Sequence, residues 1–412
     1  MILAILIASP LGLSEAVSRG YVWCLNLKGI QMFETVDTPR LILDRRRLKQ
    51  NAERFLDRAN ENNILLRPHL KTAKSIDVAR IGTAGRLSRI TVSTLREAEY
   101  FASHGYKDIL YSVGMVPRKF PRVRKIVEQY DCDLILITDN VPVARAAAEF
   151  ARKENCPLNF LIELDCGEHR GGIACGGAEI LEIGRMFHDC ANIKFKGVMT
   201  HAGHSYACEH PQDVFQVAES ERLSVVEAAD RLSQVGIFSE IISVGSTPTF
   251  LFAKSFDGLT EVRAGVYLFF DLAQYSRKIC TLDQIAVSVL STVIGHNPQG
   301  RSIIIDAGAF ALSKDFGANT FLPDAAYGHV CDPDTLERFG SLSVANVHQE
   351  HGTIPIEHDS WFDRLPVGSL VRVLPNHACA TAACYPDYLV IENGAVIGDW
   401  PRVNGWQGAP YQ

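Results

Sequence analysis

Asn63-Ile-Leu-Leu-Arg-Pro-His-Leu-Lys-Thr-Ala-Lys74 is the stretch that decides how this chain folds. It opens as an apolar strand at Ile64-Leu65-Leu66, breaks at Pro68, and presents His69, Lys71 and Lys74 within a few residues. A lysine just past the end of a buried strand suits carbonyl chemistry. The strand holds its amine, partial burial desolvates it, and it is free to form a Schiff base. Two ordinary surface lysines at the start of a helix are the plainer alternative, and these residues alone leave both readings open.

Outward from that stretch the pattern alternates. Short apolar runs at 64–66, 89–92, 108–113, 134–138, 159–164, 195–200, 240–244 and 260–263 are expected strands. Helical periodicity fills the gaps, for example at 94–104, 142–153, 178–187 and 211–235. An amphipathic helix at 45–60, with Leu48, Ala52, Phe55 and Ala59 on one face, precedes them. Eight β/α units predict an α/β fold, a (β/α)8 TIM barrel. A doubly wound open sheet is the alternative, but the glycine-rich turn it carries after its first strand is missing here. In a barrel the active site lies at the C-terminal strand ends, where Lys71, Arg170, His201, Ser246 and Tyr267 all fall. After about residue 275, short β-type runs predict a mostly antiparallel β domain, into which the early strand at Leu41-Ile-Leu-Asp44 can pair. The expected division is a barrel over 45–275 and a β domain made of 32–44 and 276–412.

Composition narrows the function. The chain has 412 residues, 47% hydrophobic and 21% charged, with net charge −6, as in an ordinary soluble protein. No basic face points to nucleic acid. Eleven cysteines show no disulfide spacing, so reduced thiols and a cytoplasmic location are expected. The apolar Met1–Ala8 segment is too short to span a bilayer and lacks a basic n-region. Residues 1–31 are expected to be an appendage outside the fold.

Several motifs carry chemistry, each beside a plainer reading. Ser243-Val-Gly-Ser-Thr-Pro-Thr249 follows a buried strand, and Arg263-Ala-Gly-Val-Tyr267 follows the next. Together they form a phosphate cradle of backbone N–H and hydroxyl groups or two ordinary βα turns. Arg170, among glycines, is a permanent cation for an anionic oxygen or a solvated loop residue. His201 faces a planar cofactor or substrate, or is a structural histidine. His377-Ala-Cys379 follows a strand at 370–374. In an extended segment both side chains share a face, and imidazole with thiolate suits zinc. This is half a metal site or a chance pair, with Cys384 read as packing. Glu350-His-Gly352 is a partner to such a metal or a turn, and Asp306-Ala-Gly308 is expected at the domain interface.

Together these stretches, from Val36 to Val403, resemble the D-threonine aldolase and D-serine dehydratase family. The carrying motifs are Arg67-Pro-His-Leu-Lys-Thr, Arg170 in its glycine loop, Gly245-Ser-Thr, Gly265-Val-Tyr, Asp306-Ala-Gly, Glu350-His-Gly and His377-Ala-Cys379. The resemblance implies a fold-type-III pyridoxal 5'-phosphate enzyme with an alanine-racemase-like barrel. It makes Lys71 the Schiff-base lysine and places Arg170 at the cofactor's phenolic oxygen. Gly245, Ser246, Thr247, Gly265 and Tyr267 then surround the phosphate, with His69 and His201 beside the cofactor. His377 and Cys379 become ligands of a divalent metal, zinc by softness, with manganese or cobalt as alternatives. Ala73 stands where the family commonly has histidine.

Aldolases of the family tend to carry His-x-Asp and dehydratases His-x-Cys, so Cys379 implies a dehydratase. Its substrates would be small D-3-hydroxyamino acids such as D-serine or D-threo-3-hydroxyaspartate, and its products a 2-oxo acid and ammonia. A D-threonine aldolase releasing glycine and an aldehyde is the rival reaction. A non-catalytic pyridoxal-phosphate carrier is the rival class, against which the β domain argues. The resemblance also implies a homodimer.

Overall fold

The computed structural model describes residues 32–408; the segment expected to be an appendage lies outside them. Strand β1 (Arg40–Asp44) runs into helix α1 (Arg45–Glu61). The Asp44 carboxylate caps that helix by accepting the Arg47 N–H at 3.0 Å. Leu48, Ala52, Phe55 and Ala59 bury its expected face.

Eight parallel strands follow: β2 (Leu65–Pro68), β3 (Ile90–Val92), β4 (Asp108–Tyr111), β5 (Asp133–Thr138), β6 (Leu158–Asp165), β7 (Ile193–Thr200), β8 (Ile241–Val244) and β9 (Glu261–Ala264). Helices α2 (Ile76–Gly82), α3 (Leu95–Ser103), α4 (Phe120–Tyr130), α5 (Val141–Lys153), α6 (Glu179–His188), α7 (Pro211–Ser233) and α8 (Thr247–Phe252) alternate with them. Their order in the sheet is β2-β9-β8-β7-β6-β5-β4-β3. A bridge between His69 and Thr91 closes the ring, with the Leu70 N–H donating to the Thr91 carbonyl at 2.9 Å. The expected (β/α)8 barrel is therefore present, and its ring closes at the stretch that carries Lys71.

The barrel interior has two textures. Leu110, Ile135, Ile137, Leu161, Met199 and Ile241 form an apolar plug. Beside it a buried ionic cluster fills the space between β2 and β9. Arg67 Nε donates to both Glu261 oxygens at 2.8 and 2.9 Å, and Nη1 donates to Asp108 at 2.6 Å. Ser243 donates to the same Glu261 at 2.8 Å.

The second domain is a sheet of β10 (Val287–Asn297), β11 (Ser302–Ile305), β12 (Gly328–Cys331), β13 (Arg338–Ser343), β14 (Gly352–Pro355), β15 (Leu370–Pro375), β16 (Asp387–Glu392) and β17 (Ala395–Pro401), joined by β1. The main order is β13-β12-β15-β10-β1-β16-β17, with β11 branching from β10 and β14 pairing with β11. Pairing is antiparallel except between β1 and β16. Leu41-Ile-Leu-Asp44 thus joins this sheet, as its apolar run suggests.

Breaking the Arg67–Glu261 pair by Glu261→Gln should cost about 3–5 kcal/mol, since it leaves a buried guanidinium short of charge. Burial alone would raise the Glu261 carboxyl, but Arg67 outweighs it and holds the pKa below the ordinary value. Its stabilisation is therefore present above the unfolded pKa, about 4.3. It is lost as the pH falls through the lower folded value. Urea unfolding across pH 3–6 should show a flatter acid limb in the variant.

Candidate active site

The C-terminal ends of the barrel strands and one edge of the β domain enclose a cavity of about 430 Å³. Its wall includes His69, Lys71, Arg170, His201, Ser246, Thr247, Gly265, His377 and Cys379. A neighbouring cavity of about 360 Å³ shares His69, Lys71, Arg170 and His201 with it. The expected lysine and the expected metal pair, 306 positions apart in the chain, thus face one space.

Lys71 leaves β2 just past the closing bridge. It is exposed, contrary to the expected partial desolvation, because its loop opens into the cavity. Its neighbour Lys74 is tied to Glu97 at 2.8 Å and has an ordinary structural role. The loop between them is held from the β domain. The Ala73 carbonyl accepts from the Tyr388 hydroxyl at 2.7 Å and from Arg402 Nε at 3.2 Å, and Val403 N–H donates to the Lys74 carbonyl at 2.7 Å. The Ala73 side chain is fully buried, so the small residue fits where a histidine is common in the family.

Two histidines flank Lys71. His201 Nδ1 donates to the Gly245 carbonyl at 2.5 Å, and burial pushes its pKa down to about 3. His69 hydrogen-bonds Ser93 through Nε2 at 2.9 Å, and burial holds its pKa well below the usual value. Both rings are neutral near pH 7. Below them Arg263 is buried and donates to Ser243 Oγ at 2.5 Å and to the Thr200 carbonyl.

The loops after β7 and β8 are joined by Glu221 of α7, a buried carboxylate that accepts the Ala202 N–H at 3.0 Å and the Gly245 N–H at 2.9 Å. Burial raises its pKa. Gly245 has φ +150°, and a Cβ there would overlap the Arg263 backbone; one on Gly265 would lie 2.6 Å from the His69 carbonyl. These close approaches leave room only for glycine. Ser246 lines the cavity, but its hydroxyl already caps α8 and meets Ser205 Oγ at 3.0 Å. The Thr247 hydroxyl is buried on this wall with only the Tyr206 phenol as a hydrogen-bonding neighbour among the described residues. A buried hydroxyl with spare hydrogen-bonding capacity fits an oxygen-rich group such as phosphate. Gly245 and Tyr267 are absent from the cavity wall. Tyr267 is fully buried and stacks on Phe55 with centroids 4.0 Å apart, because the turn after β9 directs its ring between barrel and α1.

On the opposite wall, His377 and Cys379 do not lie in an extended segment. β15 ends at Pro375, and His377 is the N-cap of a one-turn helix that contains Cys379. The helical turn, rather than strand alternation, brings the side chains together, and the imidazole hydrogen-bonds the Cys379 sulfur. His377 Nδ1 is 2.8 Å from Asp315 Oδ2. Burial alone would lower the His377 pKa, but the bonds to Asp315 and Cys379 override it and push it up to about 11. Burial would raise the Cys379 thiol, yet His377, Lys71 and Thr72 hold it below its ordinary value. With Nδ1 engaged, Nε2 and the sulfur are the donors left for a cation, and a carboxylate behind a ligating histidine is the usual supporting arrangement. Among the described residues no three His, Cys, Asp or Glu side chains converge to hold a metal. The pair would supply two ligands and leave the other positions to water or substrate.

Two family models match the chain: "Alanine racemase, N-terminal domain" over residues 43–273 and "Putative serine dehydratase domain" over residues 286–391. The chain is 41% identical over 378 residues to D-threo-3-hydroxyaspartate dehydratase of Delftia sp. (strain HT23), an alignment covering 90% of this chain and 98% of that one. The chain belongs to the D-threonine aldolase and D-serine dehydratase family. A further member, D-serine dehydratase of Dictyostelium discoideum, is 29% identical, with coverage of 87% and 94%. The solved structure of the Delftia protein matches with a TM-score of 0.88 at 40% identity, covering 92% of this chain and all of that one. A cysteine-to-alanine mutant of that dehydratase is known in a metal-free form.

Other residues of this family member depart from expectation. Glu350-His-Gly352 is a turn against Gly308, where a Cβ would meet Gln349 and His351 backbone atoms, so the two motifs pack on each other. Asp315, on a loop with no motif of its own, takes the place expected for Glu350. Cys384 is exposed rather than packed. Asp271 also escapes sequence reading: its oxygens accept the Gln274 and Ala378 N–H groups, each at 2.9 Å, which fixes the turn between His377 and Cys379.

If this pair holds a divalent cation, Asp315→Asn should lower its affinity about 10- to 100-fold, and His377→Ala or Cys379→Ala should abolish stoichiometric binding. Metal content after dialysis against graded chelator checks both.

Proposed function

We propose that this protein is a pyridoxal-phosphate- and divalent-metal-dependent dehydratase of D-3-hydroxyamino acids, a carbon–oxygen lyase that yields a 2-oxo acid and ammonia. One observation carries the reading: a lysine amine from the barrel and an imidazole–thiol pair from the β domain share a single cavity. The activities named for the 41% and 29% identical relatives supply the reaction class.

Bound pyridoxal phosphate would supply an electron sink for the bond cleaved at the substrate's α-carbon. Lys71 is the residue to hold it, and its Nζ is the base for the α-proton. His69 and His201, kept neutral and weakly basic by burial, do not compete with Lys71 for that proton. Thr247, with Ser246 and Gly265 beside it, would face the phosphate. Gly245 serves by letting the loop approach Arg263, and Tyr267 by backing the turn after β9. Arg170, whose side chain reaches both cavities, would meet the phenolic oxygen.

His377 and Cys379 would hold the divalent cation, and Asp315 orients the imidazole. Hydroxide is a poor leaving group, and a Lewis acid beside the β-hydroxyl is the help it requires. Zinc suits this nitrogen–sulfur pair by softness. A homodimer and a cytoplasmic location complete the proposal on family resemblance. Among the described residues no helix is long and apolar enough to cross a membrane.

Purified holoprotein should convert D-serine, D-threonine or D-threo-3-hydroxyaspartate to 2-oxo acid and ammonia in equal amounts. Glycine with an aldehyde would establish the aldolase reaction instead, and no turnover of any of the three would favour a carrier. Lys71→Ala should lower turnover at least about a hundredfold. Borohydride treatment of wild-type holoprotein should leave a pyridoxyl group on the peptide containing Lys71, read by mass spectrometry.

A further inference from the structure

Four basic side chains reach the cavity: Lys71, Arg170, Arg263 and Arg277. The first two have roles in the reading above, and Arg170 is paired with Glu168 at 3.3 Å. Arg263 is buried and committed to Ser243 and the Thr200 carbonyl. Arg277 is different. It follows helix α9 (Leu272–Ser276), and its guanidinium is anchored on one side. Nε donates to the Tyr206 carbonyl, and Nη1 donates to the Ala273 carbonyl at 2.6 Å and to Ser276 Oγ at 3.1 Å. Phe321 lies 5.1 Å from the guanidinium carbon. Nη2 has no hydrogen bond, and no carboxylate lies within ion-pair distance, among the described residues. A tethered guanidinium with one free edge on a cavity is preorganised for an anion.

Its position identifies which anion. Asp271, at the start of α9, accepts the N–H of Ala378, the residue between His377 and Cys379. Asp271 lies within electrostatic reach of both Arg277 and His377. Both its oxygens are occupied by backbone N–H groups, so it does not bridge to the guanidinium. Arg277 therefore stands on the side of the cavity where the metal pair would meet the β-hydroxyl. A second substituent on that same carbon would lie on the same side of the cavity as this cation.

We propose that Arg277 is the specificity-determining residue of the site, binding a carboxylate carried on the substrate's β-carbon, so that the preferred substrates are β-carboxylated D-3-hydroxyamino acids. The proposal rests on the dehydratase reading, and its test separates the two. For D-threo-3-hydroxyaspartate against D-serine, Arg277→Gln should lower the ratio of kcat/KM values about ten- to a hundredfold. The loss should fall mainly on KM, and Arg277→Lys should restore part of it. A ratio within threefold of wild type would overturn the proposal, as would an equal loss on both substrates, which would place Arg277 at the α-carboxylate. Calorimetric titration with D-malate and D-lactate reads the same site without turnover. Wild-type holoprotein should prefer the dicarboxylate and Arg277→Gln should lose that preference; an unchanged preference overturns the proposal. Should the wild type dehydrate nothing yet bind D-malate through Arg277, the reaction is wrong and the carboxylate site stands.

Discussion

The hold of the β domain on the loop after β2 is the constraint on which the site depends. Lys71 projects from a short segment whose following carbonyls are held by side chains of the β domain. Arg402 and Tyr388 converge on one of them, that of Ala73, and Arg402 Nη2 also reaches the Thr72 carbonyl at 3.2 Å. Thr72 Oγ1 in turn lies 2.9 Å from Cys379 Sγ. Lysine and thiol are therefore positioned by one hydrogen-bonded chain that crosses the domain boundary. A buried network of this kind fixes geometry because each member left unpaired would carry a desolvation cost.

The electrostatics of the two walls differ for related reasons. On the barrel wall, burial keeps His69 and His201 uncharged. On the β-domain wall, His377 is also buried, but Asp315 and Cys379 reverse the effect and favour its protonated form. A divalent cation bound there would displace protons from both side chains. The same residue type thus serves opposite ends because of its immediate partners, a distinction that burial alone does not make.

Much of this was legible in the sequence. The eight strands stood out because barrel strands buried on both faces read as continuous apolar runs, and glycines marked the loops that ligands approach. Lys71, Arg170, His201, Thr247, His377 and Cys379 lay in motifs that family resemblance could align. Asp271, Asp315, Glu221 and Arg277 did not, because each acts through contacts between segments far apart in the chain, and nothing local to them signals it. The His377–Cys379 pairing was anticipated for the wrong geometric reason, since the strand stops two residues earlier than alternation required. Tyr267 stacks on Phe55 instead of lining the cavity, because the direction of a side chain after a strand end is set by tertiary packing.

The clamp from Arg402 also orders events during synthesis. The last barrel strand ends at Ala264, and Arg402 emerges 138 residues later, on the order of ten seconds at about 5–20 residues per second. During that interval a nascent barrel carries the lysine but not the hydrogen bonds that seat it. Competence for chemistry arrives with the final strands, so an incomplete chain exposes a reactive amine without a site around it.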